Sequence, residues 1–157
     1  MVYGDAAGFS AYAAANGYTS PAGDIDAALA RATTYLDGLY GRRFSGAPIG
    51  GAAQNREWPR AGAVDVYGYA LPPEVVPARV INATYEAALL ELASPGSLSA
   101  TITPDQRKVL TKVDKIEWEI VPGGKDGVEG ATPTSTRIEG ILWPLLMRAD
   151  LPAAMVV

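Results

Sequence analysis

Two stretches that lie close together in the chain decide the predicted fold: Gln54-Asn55-Arg56-Glu57-Trp58-Pro59-Arg60 and Leu71-Pro72-Pro73-Glu74-Val75-Val76-Pro77. Proline restricts the residue before it to extended backbone, so Trp58 does not belong in the middle of a helix. The prolines of the second stretch precede a long apolar-periodic segment, where proline starts a helix without losing a needed donor. The two stretches therefore predict a structured loop that joins two helices.

Apolar residues recur at helical spacing on both sides of this loop. Upstream, spacings of four and three predict a helix from residue 25 to about 41 with Asp24 before it as a cap; its stripe is Ile25, Leu29, Ala32, Leu36 and Leu39. Downstream, residues 73–93 predict a central helix with a wide apolar face; that face contains Val76, Val80, Ala83, Ala87 and Leu90. Shorter helices are predicted at 5–17 and 137–147.

A β element is predicted near the C-terminal third of the chain. Charged and apolar residues alternate from Lys115 to Ile120, which is typical of a half-buried strand. Glu117 and Glu119 project to one face of it and could serve as a carboxylate pair for acid–base work or metal binding. We favour the simpler interpretation of a solvated strand face.

The composition excludes several kinds of chemistry. The chain has no Cys and no His, so disulfides, thiolate zinc sites, Cys nucleophiles and Ser-His-Asp triads are impossible. An enzyme would have to use carboxylates, Lys, Tyr or a metal held by oxygens. Since the Glu117/Glu119 pair is the sole candidate and is better explained as a solvated face, we expect a protein that is not an enzyme and has no cofactor or metal. The net charge of −4 argues against tight binding of nucleic acid through its phosphates. No apolar run reaches the roughly 18 residues of a membrane span, and we expect no secretion signal.

These features predict a mainly α fold, a small bundle of three to four helices with a short β element and long Gly/Pro-rich loops. A length of 157 residues fits one domain with a core from about residue 5 to 147. Around that core we expect an ordered loop at 42–71, a flexible loop at 123–136 and a tail at 148–157.

Four arginines border the 42–71 loop, where Trp58 and Tyr40 are available for stacking. Arginine with aromatic residues is typical of single-stranded nucleic-acid contact and also of protein interfaces. The acidic total favours the protein interface, although Trp58 can instead be a core residue beneath the loop. The interface residues predicted here are Arg42, Arg43, Arg56, Trp58, Arg60, Tyr67, Met155, Val156 and Val157.

The order of motifs resembles a known family. An aromatic-containing first helix precedes Ala28-Leu29-Ala30-Arg31-Ala32-Thr33-Thr34-Tyr35-Leu36-Asp37. Then come the Gln-x-x-x-Trp-Pro-Arg element, Pro-x-x-Val-Pro at 73–77, Ala83-Thr84-Tyr85-Glu86-Ala87-Ala88 and a Lys-rich strand. This pattern resembles the head–tail connector (adaptor, or head completion) proteins of tailed bacteriophages, which also carry the label of DnaT-like single-stranded-DNA-binding proteins. The resemblance runs from about Phe9 to Met147.

The resemblance implies a structural virion protein. Such proteins form a homo-oligomeric ring, commonly of twelve subunits, that docks on the portal protein and receives the next neck or tail component, a stopper or tail terminator. Double-stranded DNA passes through the ring without specific binding. The implied location is the virion neck at the portal vertex, and the host cytoplasm during assembly, with no membrane contact. The alternative is a single-stranded nucleic-acid-binding protein.

Overall fold

The computed structural model describes residues 1–99 and 134–147. Within them the chain forms four α-helices: α1 (Ala6–Ala15), α2 (Ile25–Tyr40), α3 (Ala78–Ala93) and α4 (Thr136–Leu142). A two-residue strand β1 (Ala47–Pro48) pairs antiparallel with β2 (Arg60–Ala61). The predicted class, a mainly helical bundle with a short β element, is confirmed.

Local sequence signals account for the ends of the first two helices. Asp5 caps α1 by accepting a hydrogen bond from the Gly8 amide at 2.8 Å, and Asp24 caps α2 by accepting one from the Ala27 amide at 3.0 Å. After α1 the backbone turns at Gly17, whose φ of 71° is the left-handed conformation that glycine adopts without a steric penalty.

Helix α3 begins at Ala78 rather than at residue 73, so the predicted N-terminal boundary was wrong. The closely spaced prolines explain the difference, because each proline disfavours helical backbone in the residue before it. Pro77 becomes the residue that precedes the first turn, with an extended ψ of 141°. Leu90, predicted on the buried face, is 43% exposed.

The core lies mainly between α2 and α3, with α4 against α3 and α1 at its edge. Leu29 and Leu36 of α2 and the small residues Ala83 and Ala87 of α3 are fully buried in the same core cluster. Small side chains on one helix let the other approach closely, so the larger leucines fill the space between the two axes. This packing sets the frame from which the 42–71 loop projects.

Several predictions lie outside the described residues. These are the Lys115–Ile120 strand with its Glu117/Glu119 pair, most of the 123–136 loop and the 148–157 tail. The strand pair that the structure does describe belongs to the 42–71 loop. Among residues 1–99 and 134–147, no helix is long and apolar enough to cross a membrane.

Candidate functional site

Trp58 is part of the core. Its ring is 1% exposed and packs edge-to-face on Phe44 with centroids 5.3 Å apart. Its backbone amide donates to the Tyr3 hydroxyl at 2.9 Å, which ties the loop to the N-terminal segment. The interpretation of Trp58 as a core residue, which the sequence left open, is the one that the structure supports, and its indole ring has no exposed face for a partner.

Arg60 is buried beside Trp58 and is 5% exposed. Its guanidinium donates to the backbone oxygens of Ser45 and Gly46, both at 2.8 Å. It also forms an ion pair with Glu57 at 2.5 Å. A guanidinium that donates to several acceptors at once orders the loop around it. The buried guanidinium of Arg60 therefore serves the subunit's own structure.

Arg56 and Arg43, the next two predicted interface residues, form ion pairs nearer the surface. Arg56 lies 3.5 Å from Asp37 and donates to the Met1 backbone oxygen at 3.0 Å. Arg43 pairs with Glu139 of α4 at 3.0 Å. Arg42 is exposed and has no ion-pair partner among the described residues. The four arginines do not form one cationic cluster, because carboxylates neutralise three of them.

The exposed aromatic residues lie together at a different place. Tyr67 is 66% exposed, Tyr69 is 72% exposed and Trp143 is 54% exposed. The rings of Tyr67 and Trp143 stand edge-to-face with centroids 6.2 Å apart. We call Tyr67, Tyr69 and Trp143 the aromatic surface. Large exposed rings gathered from two distant parts of a chain are unusual and typical of a binding site.

A tight turn presents the two tyrosines. One carboxylate oxygen of Asp65, Oδ1, accepts from the amides of Tyr67 and Tyr69, both at 2.9 Å. The Val66 amide donates to the Pro144 backbone oxygen at 2.8 Å, which brings the turn against the end of α4. An Asx side chain that holds its own turn is a common way to fix a loop. The aromatic surface is therefore built into the fold.

Sequence reasoning named Tyr67 and missed Trp143. The apolar stripe of the last helix contains Ile138, Ile141, Leu142, Leu145 and Leu146. Trp143 falls outside that stripe, and a large aromatic residue off the buried face of a helix is the signal that could have found it. Met155, Val156 and Val157 lie outside the described residues, and the interface role of Arg42, Arg43, Arg56 and Tyr67 stays a prediction.

The buried acidic groups have structural partners. Glu86 on α3 accepts from the hydroxyls of Tyr12 at 2.8 Å and Tyr18 at 3.0 Å, and Arg137 lies 3.5 Å away. Burial raises the pKa of Glu86 above its usual range, although the Tyr12 hydrogen bond opposes that shift. Among residues 1–99 and 134–147, no group of three or more acidic residues could hold a metal ion.

Comparison with known proteins identifies a family. A family model described as "Putative DnaT-like ssDNA binding protein" matches residues 2–157, practically the whole chain. No curated protein and no solved structure matches the chain.

Proposed function

The chain belongs to this DnaT-like family, and on that premise we propose that it binds single-stranded nucleic acid on the aromatic surface. The observation that carries the proposal is the exposure of Tyr67, Tyr69 and Trp143 at one place. Unpaired bases stack on exposed aromatic rings, and each stacked base contributes about 1–3 kcal/mol without sequence preference.

The ring geometry defines how bases would be held. The planes of Tyr67 and Trp143 meet at 71°, so the two rings cannot sandwich one base between parallel faces. A base would instead stack on the outer face of either ring. Tyr69, two residues along the same turn, supplies a further face. The surface therefore suits a few unpaired bases of a single strand. It does not suit a duplex, because the bases of a duplex are already stacked on one another.

The charge distribution limits the electrostatic part of the binding. Five of the arginines in the described residues are paired with carboxylates, whereas Arg42 and Arg79 have no such partner there. All four lysines of the chain lie between positions 108 and 125. Each neutralised phosphate contributes about 0.7 to the salt dependence of single-strand binding, so few contacts give a shallow slope.

Fluorescence anisotropy with a labelled oligothymidine at low salt tests the proposal. The double substitution Tyr67→Ala/Trp143→Ala removes two stacking faces and is expected to weaken binding by at least about tenfold. Leu90→Ala is the matched control, because Leu90 is an exposed apolar residue on α3 outside the aromatic surface. The absence of any binding by the unchanged protein at low salt would overturn the proposal.

A second candidate function is a structural neck-ring protein of a tailed phage, with no catalytic step and no cofactor. Besides the rings, several aliphatic residues of the segment between α2 and α3 are between 40% and 55% exposed: Ile49, Val64, Val66 and Val75. Such residues with internally neutralised arginines suit a protein partner better than a phosphate backbone. Closed rings need two different patches on each subunit, and a long loop can provide one of them.

In this second proposal the partners are further copies of the chain, the portal protein and the next neck component. The protein would reside in the virion neck after assembly in the host cytoplasm, and duplex DNA would pass through without specific contacts. Native mass spectrometry, alone and with a portal preparation, tests it. A ring of defined mass supports the assembly role. A monomer that does not associate with portal removes it.

A further inference from the structure

We propose that two copies of the chain form a reciprocal dimer, in which a proline-containing turn of each subunit docks on the aromatic surface of the other. The turn consists of Pro72, Pro73, Glu74 and Val75, and we call it the proline turn. Each subunit contributes the same two elements, so the contact is two-fold symmetric and closes with two subunits. Its formation does not depend on nucleic-acid binding.

The proline turn is exposed and held at both ends. All four of its residues are exposed, and Val75 has 55% of its surface accessible. Before the turn, the Leu71 amide donates to the Ala63 backbone oxygen at 2.8 Å. After it, the Pro77 backbone oxygen accepts from the Val80 amide at 2.9 Å. Because proline has no rotamer freedom to lose, docking of this preformed apolar turn costs little conformational entropy.

The aromatic surface is a suitable receptor for such a turn. The ring planes of Tyr67 and Trp143 meet at 71°, so their faces point in different directions. Aromatic side chains that line a groove are a common receptor for proline-rich segments. Tyr69 precedes Pro72 by three residues, a span of at most about 11 Å. The receptor and the turn of one subunit are therefore neighbours, and a single two-fold contact can engage both.

The exposed area favours a contact that uses both elements. An aromatic side chain buries about 150–250 Å², so three rings that are 54–72% exposed offer roughly 300–500 Å² together. A standard interface buries about 800 Å² on each partner. The rings alone fall short of that size, and the proline turn of each subunit adds to it. We expect a dimer with a dissociation constant on the order of micromolar.

Charge complementarity supports the same pairing. Glu74 of the proline turn and Arg79 at the start of α3 have no ion-pair partner within residues 1–99 and 134–147. The Arg79 guanidinium donates to the Ile141 backbone oxygen at 3.2 Å, two residues before Trp143, and so borders the aromatic surface. A proline turn docked there brings its Glu74 close to Arg79 of the second copy. The two-fold axis forms this pair twice, and opposite charges fix the register of the contact.

Sedimentation velocity of the 157-residue chain across the micromolar range tests the dimer without any nucleic acid. Glu74→Arg and Arg79→Glu should each weaken association about tenfold, because both copies of the ion pair become repulsive. Asp26→Arg is the matched control for Glu74→Arg and should leave association unchanged. Asp26 follows Gly23, which lies against Leu92 at the other end of α3, about 20 Å along the helix from Arg79.

A mixture of the two charge-reversed variants gives the decisive result. In a mixed dimer every opposed pair again has opposite signs, so association should return to the strength of the unchanged protein. Tyr67→Ala/Trp143→Ala removes the receptor and should abolish the dimer. A chain that stays monomeric throughout, or a mixture that is no tighter than either variant alone, overturns the proposal. Species larger than a dimer also overturn it, because head-to-tail contacts would then join the copies.

One consequence rests on the proposed single-strand binding. Unpaired bases and the second copy would compete for the same ring faces, so oligothymidine should convert the dimer into a complex of one subunit with the oligonucleotide. If oligothymidine does not bind but the mixed variants restore the dimer, the dimer stands and the proposed single-strand binding fails. If oligothymidine binds a chain that never dimerises, the dimer fails and the single-strand binding stands.

Discussion

The long loop contains two aromatic–polar pairs with similar residue types and opposite roles. The buried pair is Trp58 with Arg60, and the exposed pair is Tyr67 with Asp65. Trp58 and Arg60 are 1% and 5% exposed; the Trp58 ring packs on Phe44, and the Arg60 guanidinium donates to the backbone oxygens of Ser45 and Gly46. Tyr67 is 66% exposed, and Asp65 Oδ1 accepts from the backbone amides of Tyr67 and Tyr69 in its own turn. A side chain buried among the subunit's own groups holds the fold, whereas an exposed side chain whose backbone alone is held remains available to a partner.

The largest expected effect on stability comes from a comparison in which one aromatic ring of each pair is truncated. Trp58→Ala removes a fully buried indole and should lower the free energy of unfolding by about 3–5 kcal/mol. Tyr67→Ala removes an exposed ring and should change it by no more than about 0.5 kcal/mol. Chemical denaturation followed by circular dichroism measures both. Similar losses of unfolding free energy for the two variants would contradict the distinction between the buried pair and the exposed pair.

The arginines of the loop offer the next comparison. Arg60→Met leaves the backbone oxygens of Ser45 and Gly46 without their charged donor and should cost about 2–3 kcal/mol. Arg42→Met is the control, since Arg42 is exposed, and should lie within about 0.5 kcal/mol of the unchanged protein. Equal stability of the two variants in urea titrations would contradict the structural role of Arg60.

Substitutions of Asp65 test whether its turn positions the two exposed tyrosines, Tyr67 and Tyr69. Asp65→Ala removes the acceptor of the Tyr67 and Tyr69 amides and should cost about 1 kcal/mol and speed amide hydrogen exchange at both positions. Asp65→Asn keeps a side-chain oxygen at the same place and should restore slow exchange. Equally fast exchange in both variants would show that the negative charge, rather than the acceptor geometry, holds the turn.

The smallest expected effect is on the pH dependence of stability, and it concerns Glu86, a buried residue outside both pairs. The pKa of Glu86 is raised by burial, so the folded state binds its proton more tightly than the unfolded state does. The resulting stabilisation is complete below the ordinary pKa of 4.5 and is lost as pH rises through the folded-state value. Glu86→Gln cannot titrate and should flatten that part of the stability–pH profile measured by thermal unfolding. Parallel profiles would contradict this.

Sequence patterns predicted the helices well because their signals are local. The Asp5 and Asp24 caps act within three residues of themselves, and the apolar spacing of α2 needs no knowledge of its partner helix. The start of α3 was misplaced because three prolines close together override the apolar pattern before residue 78. The exposure of Leu90 depends on which neighbour covers that side of α3, which spacing alone cannot supply.

By itself the sequence determined the mainly helical class, the absence of Cys and His chemistry and the importance of the Trp-Pro-Arg loop. Only the tertiary structure decided which aromatic residues of that loop are available. Trp58 is buried because Phe44 and Tyr3, which are distant in sequence, close over it. Trp143 joins Tyr67 because α4 ends beside the turn. Burial is set by contacts between remote segments, and composition does not encode those contacts locally.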